Sequence, residues 1–173
     1  AWKRWGNTAE QIIKSNPYVL CIQGVDLSFS RADAVAAKSD IPADSECRIK
    51  AGITYILRQN ADQGHTCLPL DSLVKTAVSY LDVDEKLIKK VIEDETEEEN
   101  LYYYDKHGRR FVMLADFYKA EDYIARRLAI MRQISYDNKI DFSEVIDLEE
   151  ENNGIQYEKI QREAINLALS KGF

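Results

Sequence analysis

No apolar run in the 173 residues approaches the roughly 18 needed to span a membrane, and no basic-then-apolar signal segment opens the chain. Secretion and membrane insertion are both disfavoured. Cysteine is sparse. Cys21, Cys47 and Cys67 are an odd number without CxxC spacing, which fits reduced, partly buried thiols of a cytoplasmic protein. An excess of positive charge is missing too: the formal net charge is −7. Binding duplex DNA through bulk electrostatics requires clustered Lys and Arg, so that mode is disfavoured as well.

The motifs of common catalytic sites are absent: no GxxxxGK[ST] loop, no GxGxxG, no HExxH and no GxSxG. His65 and Cys67 offer two ligands where a zinc site needs three or four, so they read as a helix-exit turn with a packed thiol. The acids within 93–99 lack the spacing of a calcium loop and read as a solvated helix end.

What is present is 45% hydrophobic residues with ten tyrosines, enough for a packed core in one domain or two small ones. The chain opens on Ala1, with Trp2 and Trp5 close behind, and reads as a piece cut from something longer. Acids concentrate in 93–99 and 141–151, which leaves room for a local basic site elsewhere.

Thr8 to Gln11 and Ser30 to Asp33 have capping-box spacing and predict two short helices, the first stopped at Asn16-Pro17. The turn over 24–28 joins this region into a helix–hairpin–helix shape. Ile49, Ile53, Ile56 and Leu57 predict a longer helix ending at Gly64, with a short extended piece over 65–68. Helices follow around Leu73 to Leu81 and Leu87 to Ile92, the latter capped by Asp84. Aromatic and β-branched runs on either side of Gly108 predict a β-hairpin. Phe117, Ala120, Ile124, Leu128 and Met131 predict another helix. The acidic stretch 141–153 reads as a linker, and Ile160, Ala164, Leu167 and Ala168 begin a last helix with nothing left to pack on.

The expected fold is mainly α, a helix–hairpin–helix over 1–45 followed by a winged-helix-like module with a small β-hairpin over 46–135. Residues 136–173 would be the acidic linker and the first helix of a further domain.

Two places suit a nucleic acid. At the first hairpin, a turn feeding a helix N-terminus presents backbone N–H groups to a phosphate, with Ser28, Ser30, Arg31 and Lys38 nearby. An ordinary connection in the core explains the same spacing. At the wing tip, Lys106, His107, Arg109 and Arg110 stand beside Tyr102, Tyr103 and Tyr104, a combination that contacts phosphates and stacks on unpaired bases. A solvated turn whose tyrosines face the core is the alternative. Arg126, Arg127 and Arg132 either extend the basic surface or balance nearby acids.

Ordered along the chain, these segments resemble the RecD/TraA-type helicases. Asn16-Pro17-Tyr18-Val19-Leu20, then Phe29 with Ala32-Asp33 and Val35-Ala36, is similar to that family's NPYxL…FxxADxIA signature. The run from Arg48 to Leu57 continues the pattern. Gly64-His65-Thr66-Cys67-Leu68-Pro69 resembles its GHTxLP segment, and the run from Tyr118 to Ala125 its YxAExxIA helix. The stretch from Ile155 to Ile165 resembles the segment preceding the Walker A motif.

The resemblance implies the N-terminal, non-catalytic part of a superfamily-one DNA helicase that moves 5′ to 3′ and serves repair or recombination. ATP and Mg²⁺ would be cofactors of the full-length parent and not of this stretch. Gln161 matches the glutamine that contacts adenine, since its amide both donates and accepts. The implied partners are single-stranded or forked DNA, and the motor domain or other repair proteins; no membrane is implied. One departure stands out. Asp26-Leu27-Ser28 replaces the family's Gly-Ile-Gly, and Asp26 repels phosphate unless it points away.

Beside DNA handling stand two further readings: an acidic module that docks the motor or a partner protein, and a free-standing winged-helix regulator. The second needs a basic recognition helix, and the candidate over 85–98 ends in acids.

Overall fold

Apolar residues at three- and four-residue spacing demand helices with one buried face, and these dominate the computed structural model, which describes residues 2–21, 25, 27–133 and 140–171. The chain divides into two compact units, Ala1–Lys119 and Ala120–Phe173.

The first unit begins with short pieces: α1 (Trp2–Trp5), a 3-10 turn (Gly6–Thr8), α2 (Ala9–Ser15), a second 3-10 turn (Pro17–Cys21) and α3 (Phe29–Ala36). Asn16 ends α2 in an extended conformation, φ −151°, as the proline ring that follows it favours. Neither expected capping box forms. Thr8 precedes α2 but is itself helical, and its hydroxyl donates back to the Trp5 carbonyl at 2.7 Å instead of accepting an amide of α2. Ser30 lies inside α3, whose N-cap is Ser28, and the Asp33 carboxylate is taken by Tyr18 and Arg48. Gly24 and Asp26 of the expected turn lie outside the described residues. The Leu27 amide donates to the Leu20 carbonyl at 2.9 Å and draws the flanking segments together.

The same unit continues with α4 (Glu46–Asp62), β1 (Cys67–Pro69), α5 (Leu70–Leu81), α6 (Glu85–Glu97), β2 (Leu101–Lys106) and β3 (Arg109–Leu114). The strands form an antiparallel sheet in the order β1-β3-β2. Ile49, Ile53, Ile56 and Leu57 of α4 are buried with Leu73, Val74, Ala77 and Leu81 of α5 and Ile88, Val91 and Ile92 of α6. Leu101, Val112 and Leu114 close this core from the sheet. Each Val, Leu or Ile side chain among these contributes about 1.5–3 kcal/mol of hydrophobic stabilisation. Asp84 caps α6 as expected, accepting the Lys86 amide at 2.8 Å. Gly52 lets α4 lie close to α5; a Cβ there would sit 2.6 Å from a Leu81 methyl.

The acids at the end of α6 are more than a solvated helix end. Glu95 is only 8% exposed. Lys50 of α4 bridges it at 2.8 Å and also reaches Glu46 at 2.9 Å and Glu98 at 3.3 Å. The hydrogen bonds it donates, first to Glu95 and then to Glu46, hold the Lys50 ammonium well above its ordinary value.

α7 (Ala115–Gln133) runs from the first unit into the second, which also holds α8 (Ser143–Asn153) and α9 (Lys159–Lys171). The acidic stretch expected as a linker is therefore largely helix. Asp141 accepts the Ser143 amide at 3.0 Å at the start of α8, and Gly154 ends it with φ 61°. Ile146 is buried. Arg162 of α9 is paired with both Asp147 and Glu150 of α8, which offsets the repulsion that acids along one helix create. The last helix thus has a partner in α8. Among the described residues, no helix is long and apolar enough to cross a membrane.

Candidate nucleic-acid interface

Strand alternation decides what the β2–β3 hairpin presents. β2 and β3 pair Leu101 with Leu114, Tyr103 with Val112 and Asp105 with Arg110; the intervening pairs are Tyr102 with Met113, Tyr104 with Phe111 and Lys106 with Arg109. Successive side chains of a strand point to opposite faces, so these are two distinct sets. The first set contains the core residues Leu101, Val112 and Leu114. Arg110, at the end of that face, donates to Asp105 at 3.0 and 3.2 Å and lies 4.8 Å from the centroid of the Tyr103 ring. Its hydrogen bond with Asp105 raises its proton affinity and lowers that of Asp105.

The second set lies on the other face, where Met113 is buried and the side chains open to solvent toward the tip. At its base, the Tyr102 ring stacks on Tyr118 of α7, 4.1 Å between centroids and 4° from parallel. Tyr104 follows, 47% exposed, with its ring 6.5 Å from that of Phe111. Lys106 and Arg109 stand opposite each other at the tip. Both are exposed and in no ion pair with the described residues. His107 and Gly108 make the two-residue turn, with φ 51° and 73°, the left-handed pair that matches the twist of a hairpin. The three tyrosines therefore divide: Tyr103 faces the core side, Tyr102 is stacked within the fold, and Tyr104 faces out. Of the four basic hairpin residues, Arg110 lies on the other face from Lys106 and Arg109.

At the first hairpin, Ser28 is extended, ψ 147°, and begins α3. Its hydroxyl lies 3.4 Å from that of Ser30. Ser28, Ser30 and Arg31 are exposed together at this end of the helix. Lys38 is exposed beyond the other end, roughly 12 Å from Ser30 at the helical rise, so it does not join them. Behind the helix, Asp33 accepts Arg48 Nε at 2.7 Å, Arg48 Nη2 at 3.2 Å and the Tyr18 hydroxyl at 2.5 Å. Burial raises the Asp33 carboxyl, but the bonds from Arg48 and Tyr18 outweigh it and hold the group below the usual range. Burial, then the bond to Asp33, pushes the Tyr18 hydroxyl up. The Phe29 ring packs between Tyr18 at 5.6 Å and Tyr55 at 5.8 Å. A groove of about 950 Å³ runs beside this stack, lined in part by Tyr18, Phe29, Cys47 and Tyr55.

Gln161, three residues after Glu158, accepts the Glu158 amide at 3.0 Å through its side-chain oxygen. This is the N-terminal capping role of a glutamine in the first helical turn. In the second unit, Arg126 pairs with Asp122 at 2.7 Å, while Arg127 and Arg132 are exposed. Among the described residues, no group of three or more His, Cys, Asp and Glu side chains is placed to hold a metal ion.

Sequence reasoning grouped Arg110 with Arg109, although period-two alternation through the turn separates them. It also missed the Asp33–Arg48 pair, because the partners are 15 residues apart. The second 3-10 turn, α3 and α4, held by the Tyr18–Asp33–Arg48 cluster, are the frame on which the first candidate surface rests. The family model described as the ATP-dependent RecD2 DNA helicase HHH domain matches residues 1–67. The N-terminal part of this chain thus carries a helix–hairpin–helix domain of the RecD2 helicase type.

Proposed function

We propose that this chain is a non-catalytic DNA-handling region of an ATP-dependent 5′–3′ helicase serving repair and recombination, and that its wing contacts single-stranded or forked DNA. The observation that carries the reading is the tip of the β2–β3 hairpin. There Lys106 and Arg109 are exposed and unpaired among the described residues, beside Tyr104, in a chain of net charge −7. A free cation on a rigid hairpin neutralises a phosphate at little reorganisation cost. The order α4-β1-α5-α6-β2-β3 supports a winged helix. α6 ends in Glu93, Asp94 and Glu97, which disfavours its entry into a major groove and leaves the wing as the leading contact.

ATP and Mg²⁺ belong, in this reading, to the motor of the parent protein. Gln161 is the residue of this chain assigned to adenine: with its oxygen on the Glu158 amide, its NH₂ group can donate to a base. The chain has no GxxxxGK[ST] loop to cradle phosphates, so nucleotide binding by it alone is not expected. The proposed compartment is the cytoplasm, consistent with three free cysteines.

A second reading rests on α8. It carries Glu144, Asp147, Glu149, Glu150 and Glu151 and exposes Val145 and Leu148, each 57% accessible, a surface able to dock the motor or another repair protein. Fluorescence anisotropy with labelled single-stranded and forked DNA at two salt concentrations separates the two. Salt-sensitive binding weakened by Arg109→Ala supports DNA handling, and absence of binding at low salt moves the chain to the docking reading.

A further inference from the structure

Resting on the DNA-handling reading, we propose that the Tyr104 face of the wing is a stacking platform for one unpaired base, with Tyr104 as the ring that receives it and Lys106 and Arg109 holding the adjoining phosphates. Three observations meet on this face. Tyr102, lower on the same strand, has its ring covered by Tyr118, so the aromatic row is fixed at its base. Tyr104 is tilted 51° against Phe111, 6.5 Å between centroids, a ring contact that leaves it 47% exposed. Lys106 and Arg109 form the next cross-strand pair toward the tip. Two residues along a strand span roughly 6.8 Å, which puts both cations within reach of the backbone flanking a base on Tyr104.

A base inside a duplex has both faces covered by its neighbours, so an open ring on a charged hairpin selects single-stranded DNA over paired DNA. Arg110 takes no part: it is held on the opposite face by Asp105 and Tyr103. The shared positive charge of Lys106 and Arg109, beside an exposed planar ring, identifies a nucleic-acid strand as the occupant.

The test compares wild-type chain, Tyr104→Ala and Tyr104→Phe for binding to labelled oligothymidylate and to the same backbone carrying abasic sites, with circular dichroism confirming the fold. Tyr104→Ala is expected to weaken oligothymidylate binding about 5- to 100-fold, and Tyr104→Phe to restore it. On the abasic backbone all three should bind alike, and the salt dependence of Tyr104→Ala should match wild type, because no phosphate contact is removed. Equal oligothymidylate binding by wild type and Tyr104→Ala overturns the platform while leaving DNA handling standing. An equal loss on the abasic backbone overturns it too, since the ring would then act on the backbone. Failure of the wild type to bind either strand overturns both readings.

Discussion

Arg48 holds Asp33 through two parallel hydrogen bonds, 2.7 Å from Nε and 3.2 Å from Nη2, while its remaining nitrogen donates to the carbonyls of Ala43 at 2.7 Å and Leu81 at 2.9 Å. One guanidinium therefore ties α3, the start of α4 and the end of α5 together. Arg48→Met should cost about 2 kcal/mol, after allowing for a carboxylate nearly a third exposed, because it strips donors from three acceptors at once. Urea unfolding should show a lower midpoint with unchanged slope. Arg48→Lys should recover little, since one ammonium cannot span this fork.

The same pair predicts an acid-sensitive stability. Asp33 titrates lower in the folded state than in the unfolded chain, so the folded state binds fewer protons as pH falls. The contribution is present above the unfolded carboxylate value of about 3.9 and is lost as pH drops through it toward the folded value. Melting temperature followed from about pH 5 to about pH 2.5 should fall less steeply in Asp33→Asn than in wild type. Identical slopes would remove Asp33 from the account.

Gly52→Ala tests the approach of α4 to α5. A methyl there meets both Leu81 δ-carbons, at 2.6 and 2.8 Å, and Leu81 is itself only 2% exposed. Alanine gains about 1 kcal/mol in helix propensity, but overpacking costs about 1–3 kcal/mol, so a net loss is expected. Thermal unfolding should show a melting temperature lower by a few degrees; a rise would mean that Leu81 has room to turn aside.

Arg109→Ala and Arg110→Ala should separate cleanly. Arg109 is an exposed, unpaired cation among the described residues, whereas Arg110 is bound to Asp105 and lies over Tyr103. Removing one phosphate contact lowers the dependence of log K on log salt by about 0.7 to 0.9. Anisotropy titrations should show that drop for Arg109→Ala and a smaller change for Arg110→Ala. The reverse order would place DNA on the Arg110 face.

Much of the fold is legible because it is local. The period of Ile49, Ile53 and Ile56 specifies α4, the carboxylate of Asp84 starts α6, and Gly108 with its flanking aromatic runs specifies the hairpin. What escapes is settled by distant partners. Ser30 and Asp33 have the spacing of a cap, yet Arg48 claims the acid from 15 positions away. Acids across 141–153 suggest a solvated linker until Arg162 of α9 pairs with two of them and Ile146 is buried. At the β2–β3 hairpin, residue types identify a basic, aromatic patch, but the register decides which members share a face.

The most direct test of the central claim is amide chemical-shift mapping of the chain on addition of forked DNA. The account predicts perturbations concentrated on the wing, at Tyr104, Lys106, His107, Gly108, Arg109 and Phe111, that fade as salt is raised. Shifts confined to α8 with a silent wing, or no shifts at low salt, would contradict it.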